Sequence, residues 1–144
     1  MKPLTTYFVD TSFWIALLEA SDALHPRAVA WHAHVVKEGV AIVTTEAVLW
    51  ETLTYFAPPP SRKRAMLLYR AAHGSSGIEI VDFAGVWRDA AVLLYENRRD
   101  KAWSIVDCLS FEVMGSRGMV AALTADRHFE QARFEALLLR EPEP

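Results

Sequence analysis

Cysteine is nearly missing from this sequence: Cys108 stands alone among 144 residues. One thiol forms neither an internal disulfide nor a multi-cysteine zinc site. A disulfide scaffold is therefore excluded, and a reducing compartment fits. Long apolar runs are missing too. Phe13–Leu18 and Met119–Leu123 fall far short of the roughly 20 residues that a membrane helix needs. Asp10 interrupts the N-terminal apolar stretch before it reaches signal-peptide length. Nor is there an excess of positive charge. Fifteen Lys and Arg against eighteen Asp and Glu leave a net −3, which argues against a whole-surface grip on nucleic acid. A local basic patch stays open. Internal repeats and low-complexity tracts are absent, and His25, His32, His34, His73 and His128 show no metal-binding spacing.

What remains has the balance of an ordinary globular protein, 52% apolar and 23% charged. One soluble cytoplasmic domain over 1–144 is expected, with Glu141–Pro144 a frayed tail. Strand-like runs lie at Thr6–Val9, Val40–Val43, Ile78–Val81, Met119–Leu123 and Phe134–Leu139. Between them fall helical stretches at Phe13–Glu19, His25–Lys37, 46–57, Ser61 to about Ala72, Ala84–Asn97 and Ile105–Ser116, with a helical turn over Arg127–Ala132. Pro58-Pro59-Pro60 reads as the end of one helix and Ser61 as the cap of the next. This alternation predicts a three-layer α/β/α sandwich around a central, mostly parallel five-stranded sheet.

Sites in such sheets form beyond the carboxyl ends of the strands. Asp10 ends the first strand, Asp126 lies just past the fourth, and Asp107 begins the helix leading into the fourth. Each has a structural reading as well: Asp10 as a turn or helix cap, Ser104-x-x-Asp107 as a capping box, Asp126 as a cap. Glu51 is harder to explain away. Its helix carries Ala47, Val48, Trp50, Leu53, Tyr55 and Phe56, so a solvated stripe for Glu51 would be narrow. Four converging carboxylates repel one another, and a hard divalent cation resolves the conflict. Oxygen ligands without clustered His or Cys point to Mg²⁺ or Mn²⁺, and such a site suits phosphodiester hydrolysis.

Four segments carry a resemblance. Phe8-Val9-Asp10-Thr11-Ser12, Val48-Leu49-Trp50-Glu51-Thr52-Leu53-Thr54, Ser104-Ile105-Val106-Asp107-Cys108-Leu109-Ser110-Phe111 and Leu123-Thr124-Ala125-Asp126-Arg127-His128-Phe129 stand in that order. They resemble the signatures of PIN-domain ribonucleases, and most closely the VapC toxins of toxin–antitoxin pairs, from about Tyr7 to Phe134. The resemblance implies an Mg²⁺- or Mn²⁺-dependent endoribonuclease, a homodimer and a cognate antitoxin. It maps Asp10, Glu51, Asp107 and Asp126 onto the family's acidic quartet, as catalytic and metal-binding residues. It also puts Thr124 where relatives often carry a hydroxyl. Many relatives have Gly where Ala132-Arg133 precedes Phe134, which predicts a different turn here. Asp100 recurs before Lys in close relatives, as a cap or an ion-pair partner.

Candidate substrate contacts are Thr11, Ser12 and Thr124 beside the acids, and Arg62, Lys63 and Arg64 after the triple proline. Arg98-Arg99-Asp100-Lys101 is a second basic cluster. His128 follows Asp126 closely and could serve the site, although it reads first as a surface histidine; Cys108 reads as a packed residue rather than a nucleophile. Trp14, Trp31 and Trp50 stand at helical positions that suit either a core or a partner interface. Two other functions compete with this reading. A dehalogenase-type phosphatase wants a second acid two residues after Asp10, where Ser12 stands. A catalytically silent RNA- or protein-binding scaffold of the same fold is the alternative, and the intact quartet argues against it.

Overall fold

The computed structural model describes residues 5–144; Met1–Leu4, and with them the start of the expected domain, lie outside the described residues. In chain order the elements are β1 (Thr6–Val9), α1 (Thr11–Leu18), α2 (His25–Glu38), β2 (Ala41–Thr45), α3 (Glu46–Tyr55) and α4 (Pro59–Gly74). There follow β3 (Ile78–Val81), α5 (Gly85–Asn97), α6 (Ile105–Ser116), β4 (Ala121–Leu123), α7 (Arg127–Gln131) and β5 (Glu135–Ala136). Among the described residues, no helix is long and apolar enough to cross a membrane.

All five strands are parallel, in the order β3-β2-β1-β4-β5. The order reverses at β1, which pairs with β2 on one side and β4 on the other. Right-handed crossovers then put α1–α4 over one face and α5–α7 over the other. The helix–helix contacts follow that division, α1 with α2 and α3, α3 with α4, α5 with α6, and α6 with α7. Alternation along β1 feeds both layers. Phe8 stacks toward Phe129 of α7, whereas Val9 faces Phe13 and Trp14 of α1. Both are fully buried.

Local chemistry explains most element ends. The Val48 amide donates to Thr45 Oγ1 at 3.0 Å, capping α3. Gly39 ends α2 in the left-handed conformation at φ 64°, which a side chain rarely adopts. The prolines depart from expectation. Pro59 and Pro60 form the first turn of α4 behind Pro58, because a missing N–H costs nothing where no intrahelical partner exists. The fifth strand is also shorter than expected. Only Glu135–Ala136 pairs, and Leu137–Leu139 form a 3₁₀ turn because the Leu138 amide is drawn to the Thr124 carbonyl at 3.1 Å. Before it, Arg133 takes φ 71°. The turn expected to differ from its glycine-bearing relatives thus keeps a glycine-like backbone. The tail is pinned at its start, where Glu141 pairs with Arg27 and the Arg140 carbonyl accepts from the Trp31 indole.

Candidate active site

Register brings the first and last acids together. Val9 lies opposite Leu123, and the Asp10 amide donates to the Leu123 carbonyl, so Asp10 and Thr124 leave adjacent strands at the same height. This is the sheet's switch point, where a crevice opens at the carboxyl ends. Asp10 stands at the N-cap position of α1 but makes no capping hydrogen bond. Its Oδ2 accepts instead from the Thr124 hydroxyl at 2.9 Å.

Thr124 is fully buried and its hydroxyl is saturated. It donates to Asp10, accepts from the Asp126 amide at 3.0 Å and meets Ser12 Oγ at 3.1 Å. With its one proton given to Asp10, it can only accept from Ser12. Ser12 in turn accepts from the Ala125 amide. Thr11 donates to Glu51 Oε1 at 2.5 Å, tying α3 to the start of α1. The three hydroxyls expected to touch substrate are thus engaged in placing carboxylates.

Asp107 is held by a reciprocal capping box: its amide donates to Ser104 Oγ and its Oδ2 accepts from the Ser104 amide, both at 3.0 Å. Asp126 caps α7, accepting from the His128 amide at 2.8 Å. The capping readings hold for both, and a second function is built on the same atoms. His128 Nδ1 lies 3.2 Å from Asp107 Oδ2 and 3.2 Å from Asp126 Oδ1. One ligand atom from each of Asp107, Asp126 and His128 falls within 4.8 Å of the others, a spacing that fits a metal ion.

Electrostatics bind this cluster to Asp10. Burial pushes the Asp10 carboxyl up to about 7, aided by the charges of Asp107 and Glu51 and opposed by the Thr124 hydroxyl and the Thr11 backbone. Burial also raises Asp107, and Asp126 adds to it, while the Ser104 amide and His128 pull the other way. Neighbouring acids that resist ionisation are what a bound cation would relieve.

Several expectations need correction. Glu51 is exposed rather than buried in an apolar helix, because α3 turns Trp50 and Tyr55, 57% and 53% exposed, to the same solvent. His128 is no free surface histidine; it joins the acids. Only its position two residues after Asp126 signalled this in the chain. The expected basic cluster is exposed on α4, with two of its guanidinium groups also bonded to carbonyls. Arg62 donates to the Ala57 carbonyl and Arg64 to the Leu18 carbonyl at the far end of α1, while Lys63 is exposed on α4. Asp100 pairs with Arg98 through two 3.0 Å bonds, and this guanidinium pulls its carboxyl down to about 2. Cys108 is buried, and burial pushes its thiol up, as suits a packed residue.

Known proteins share this fold. The 23S rRNA-specific endonuclease VapC20 of Mycobacterium tuberculosis is 31% identical over 127 residues, spanning 88% of this chain and 94% of that protein. The crystal structure of VapC20, described as a sarcin–ricin loop cleaving toxin, superposes with a TM-score of 0.77 at 29% identity, covering 96% and 99% of the two chains. VapBC2 from Rickettsia felis, solved on a DNA fragment from its promoter, matches the fold with a TM-score of 0.66 at 13% identity, over 92% of this chain and 97% of that one. FitAcB from Neisseria gonorrhoeae does so at 0.63 and 16%, over 90% and 94%. The PIN domain family model spans residues 7–135, from the start of β1 to β5 and across all four acids. The parallel sheet, its carboxylate-lined switch point and these matches agree: the chain belongs to the PIN-domain family, in its VapC-type branch.

Proposed function

We propose that this protein is an endoribonuclease toxin of a toxin–antitoxin pair, hydrolysing RNA phosphodiesters with Mg²⁺ or Mn²⁺. One observation carries the reading: Asp10, Glu51, Asp107 and Asp126, remote in sequence, gather at the carboxyl end of the sheet, where Thr124 bonds Asp10 and the Asp126 amide, Thr11 bonds Glu51 and the Ser104 amide bonds Asp107. Asp107 and Asp126, with Asp10 behind them, would hold the cation, and His128 is the nitrogen donor beside them. Bound there, a divalent cation offsets charge on the phosphoryl oxygens and acidifies water.

The chain's own residues divide the remaining work. Thr124 keeps Asp10 and Asp126 at a fixed separation. Thr11 holds Glu51 on the open side of the crevice, where its carboxylate positions water against the phosphorus. RNA is the substrate class, and the sarcin–ricin loop of 23S rRNA is the first defined substrate to try, since VapC20 is named for it.

The partners follow the same reading. An apolar cavity of about 620 Å³ between α1, α2 and α4 is lined by Phe13, Trp14, Val35 and Leu68. The buried Trp14 Nε1 has no hydrogen-bond partner among the described residues. An antitoxin segment laying apolar side chains in this cavity would cover it. Trp50 and Phe83, exposed and stacked edge to face at 5.5 Å, support a homodimer through α3 and the start of α5. A single cytoplasmic domain over 1–144 completes the reading.

The test is cleavage of total RNA and of a sarcin–ricin stem-loop by purified protein with Mg²⁺ or Mn²⁺, with EDTA, and with Asp10→Asn. Discrete fragments that vanish with EDTA and in the variant are expected. A folded, Mn²⁺-binding protein that cuts neither RNA would instead be the silent scaffold.

A further inference from the structure

Asp107 starts α6, whereas Asp126 and His128 start α7, so their spacing depends on what ties these two helix starts together. The acids themselves do not. Asp107 and Asp126 repel, and α7 has five residues, far below the roughly 12–15 at which a helix holds itself in water. Its placement must come from tertiary contacts.

One contact is Phe129, fully buried against Phe111 at 4.9 Å. The other is polar. Trp103 Nε1 donates to Gln131 Oε1 at 3.0 Å. Trp103 immediately precedes Ser104, the cap that orients Asp107, and Gln131 follows His128 by three residues, one turn along α7. Apart from the His128–Asp107 contact within the cluster itself, this hydrogen bond joins the two segments that carry the cluster.

The indole is itself fixed. Trp103 is buried, Phe111 meets its ring edge to face at 4.9 Å, and the Arg98 guanidinium lies 5.0 Å over it, anchored by Asp100. An N–H locked in this way has one direction to point, and Gln131 stands there. We propose that the Trp103–Gln131 hydrogen bond is a brace that sets the distance from Asp107 to Asp126 and His128, making Trp103 and Gln131 positioning residues for the cation. This rests on the metal-dependent reading of the site. No part of the brace touches RNA or the reacting atoms.

The experiment measures Mn²⁺ affinity by electron paramagnetic resonance on the full chain, well below its melting temperature, for Gln131→Leu, Trp103→Phe and the double variant. Each single change is expected to weaken Mn²⁺ about tenfold, within the range for groups that orient metal ligands. RNA KM should hold while kcat at limiting Mn²⁺ falls. The double variant should bind no more weakly than either single, since both remove one bond. Gln131 is exposed, so Gln131→Leu keeps the test alive if Trp103→Phe does not fold. Affinity in Gln131→Leu within about twofold of the parent would overturn the brace, as would additive losses. A parent that binds no Mn²⁺ would sink the metal reading and the brace together. A binding parent with an unmoved Gln131→Leu sinks the brace alone.

Discussion

The two halves of the crevice hold their acids by different means. At the sheet edge, Asp10 and Thr124 directly follow adjacent strands, both buried and locked by hydroxyls. At the helix starts, Asp107 and Asp126 hang on caps, and Asp126 and His128 are each about one-third exposed. Strand pairing fixes position closely but strips water from the carboxylate, which is why Asp10 is pushed so far up. Helix N-termini offer amides that favour a charged acid, at the expense of a looser mount. A cation site built across both therefore combines two buried, reluctant acids, Asp10 and Asp107, with the more accessible Asp126.

The largest effect that would test this contrast is at the buried half. Asp10→Asn should reduce RNA cleavage to the level of the EDTA control while circular dichroism shows the fold retained. The same variant should be more stable than the parent without metal at about pH 8 and equal to it at about pH 4. The sign follows from the raised pKa. Folded Asp10 keeps its proton to about 7, so its contribution to stability is present in acid and is lost as pH rises through that value. Thermal melts in EDTA across this range would expose the error if the parent proved the more stable at high pH.

Metal should reverse that trend. Because a ligand must be ionised to bind, the rise in melting temperature caused by Mn²⁺ should be larger at about pH 8 than at about pH 5.5. A pH-independent increment would mean that Asp10 takes no part in binding.

The hydroxyl lock comes next in size. Thr124→Val removes the donor to Asp10 and the acceptor for the Asp126 amide, and should weaken Mn²⁺ by about 10–100-fold. Thr11→Val, which frees only the exposed Glu51, should cost less in metal affinity and more in kcat. Equal effects of the two would erase the distinction between the halves.

The smallest effect lies outside the crevice. Arg133 at φ 71° carries left-handed strain, so Arg133→Gly should stabilise the fold by about 0.5–1 kcal/mol and leave cleavage untouched. Denaturant melts would read it.

Much of this was legible along the chain. The element order follows from apolar periodicity and breakers, and Thr45, Ser104 and Asp126 cap as their positions suggest. All four acids are visible because each ends a strand or starts a helix, or, for Glu51, sits in a recognisable segment. The prolines misled, since the same residue stops one helix and suits the first turn of another. The length of β5 was hidden, because its competitor is the Thr124 carbonyl, a partner remote in sequence.

Local sequence thus determined the elements, their caps and which acids are available, because propensity, capping and turn chemistry act over a few residues. Tertiary structure alone decided that Glu51 is exposed, that His128 joins Asp107, that Arg64 reaches the Leu18 carbonyl, and that Asp10 resists ionisation. Each of those depends on burial or on a partner tens of residues away, and neither quantity is defined until the sheet has paired.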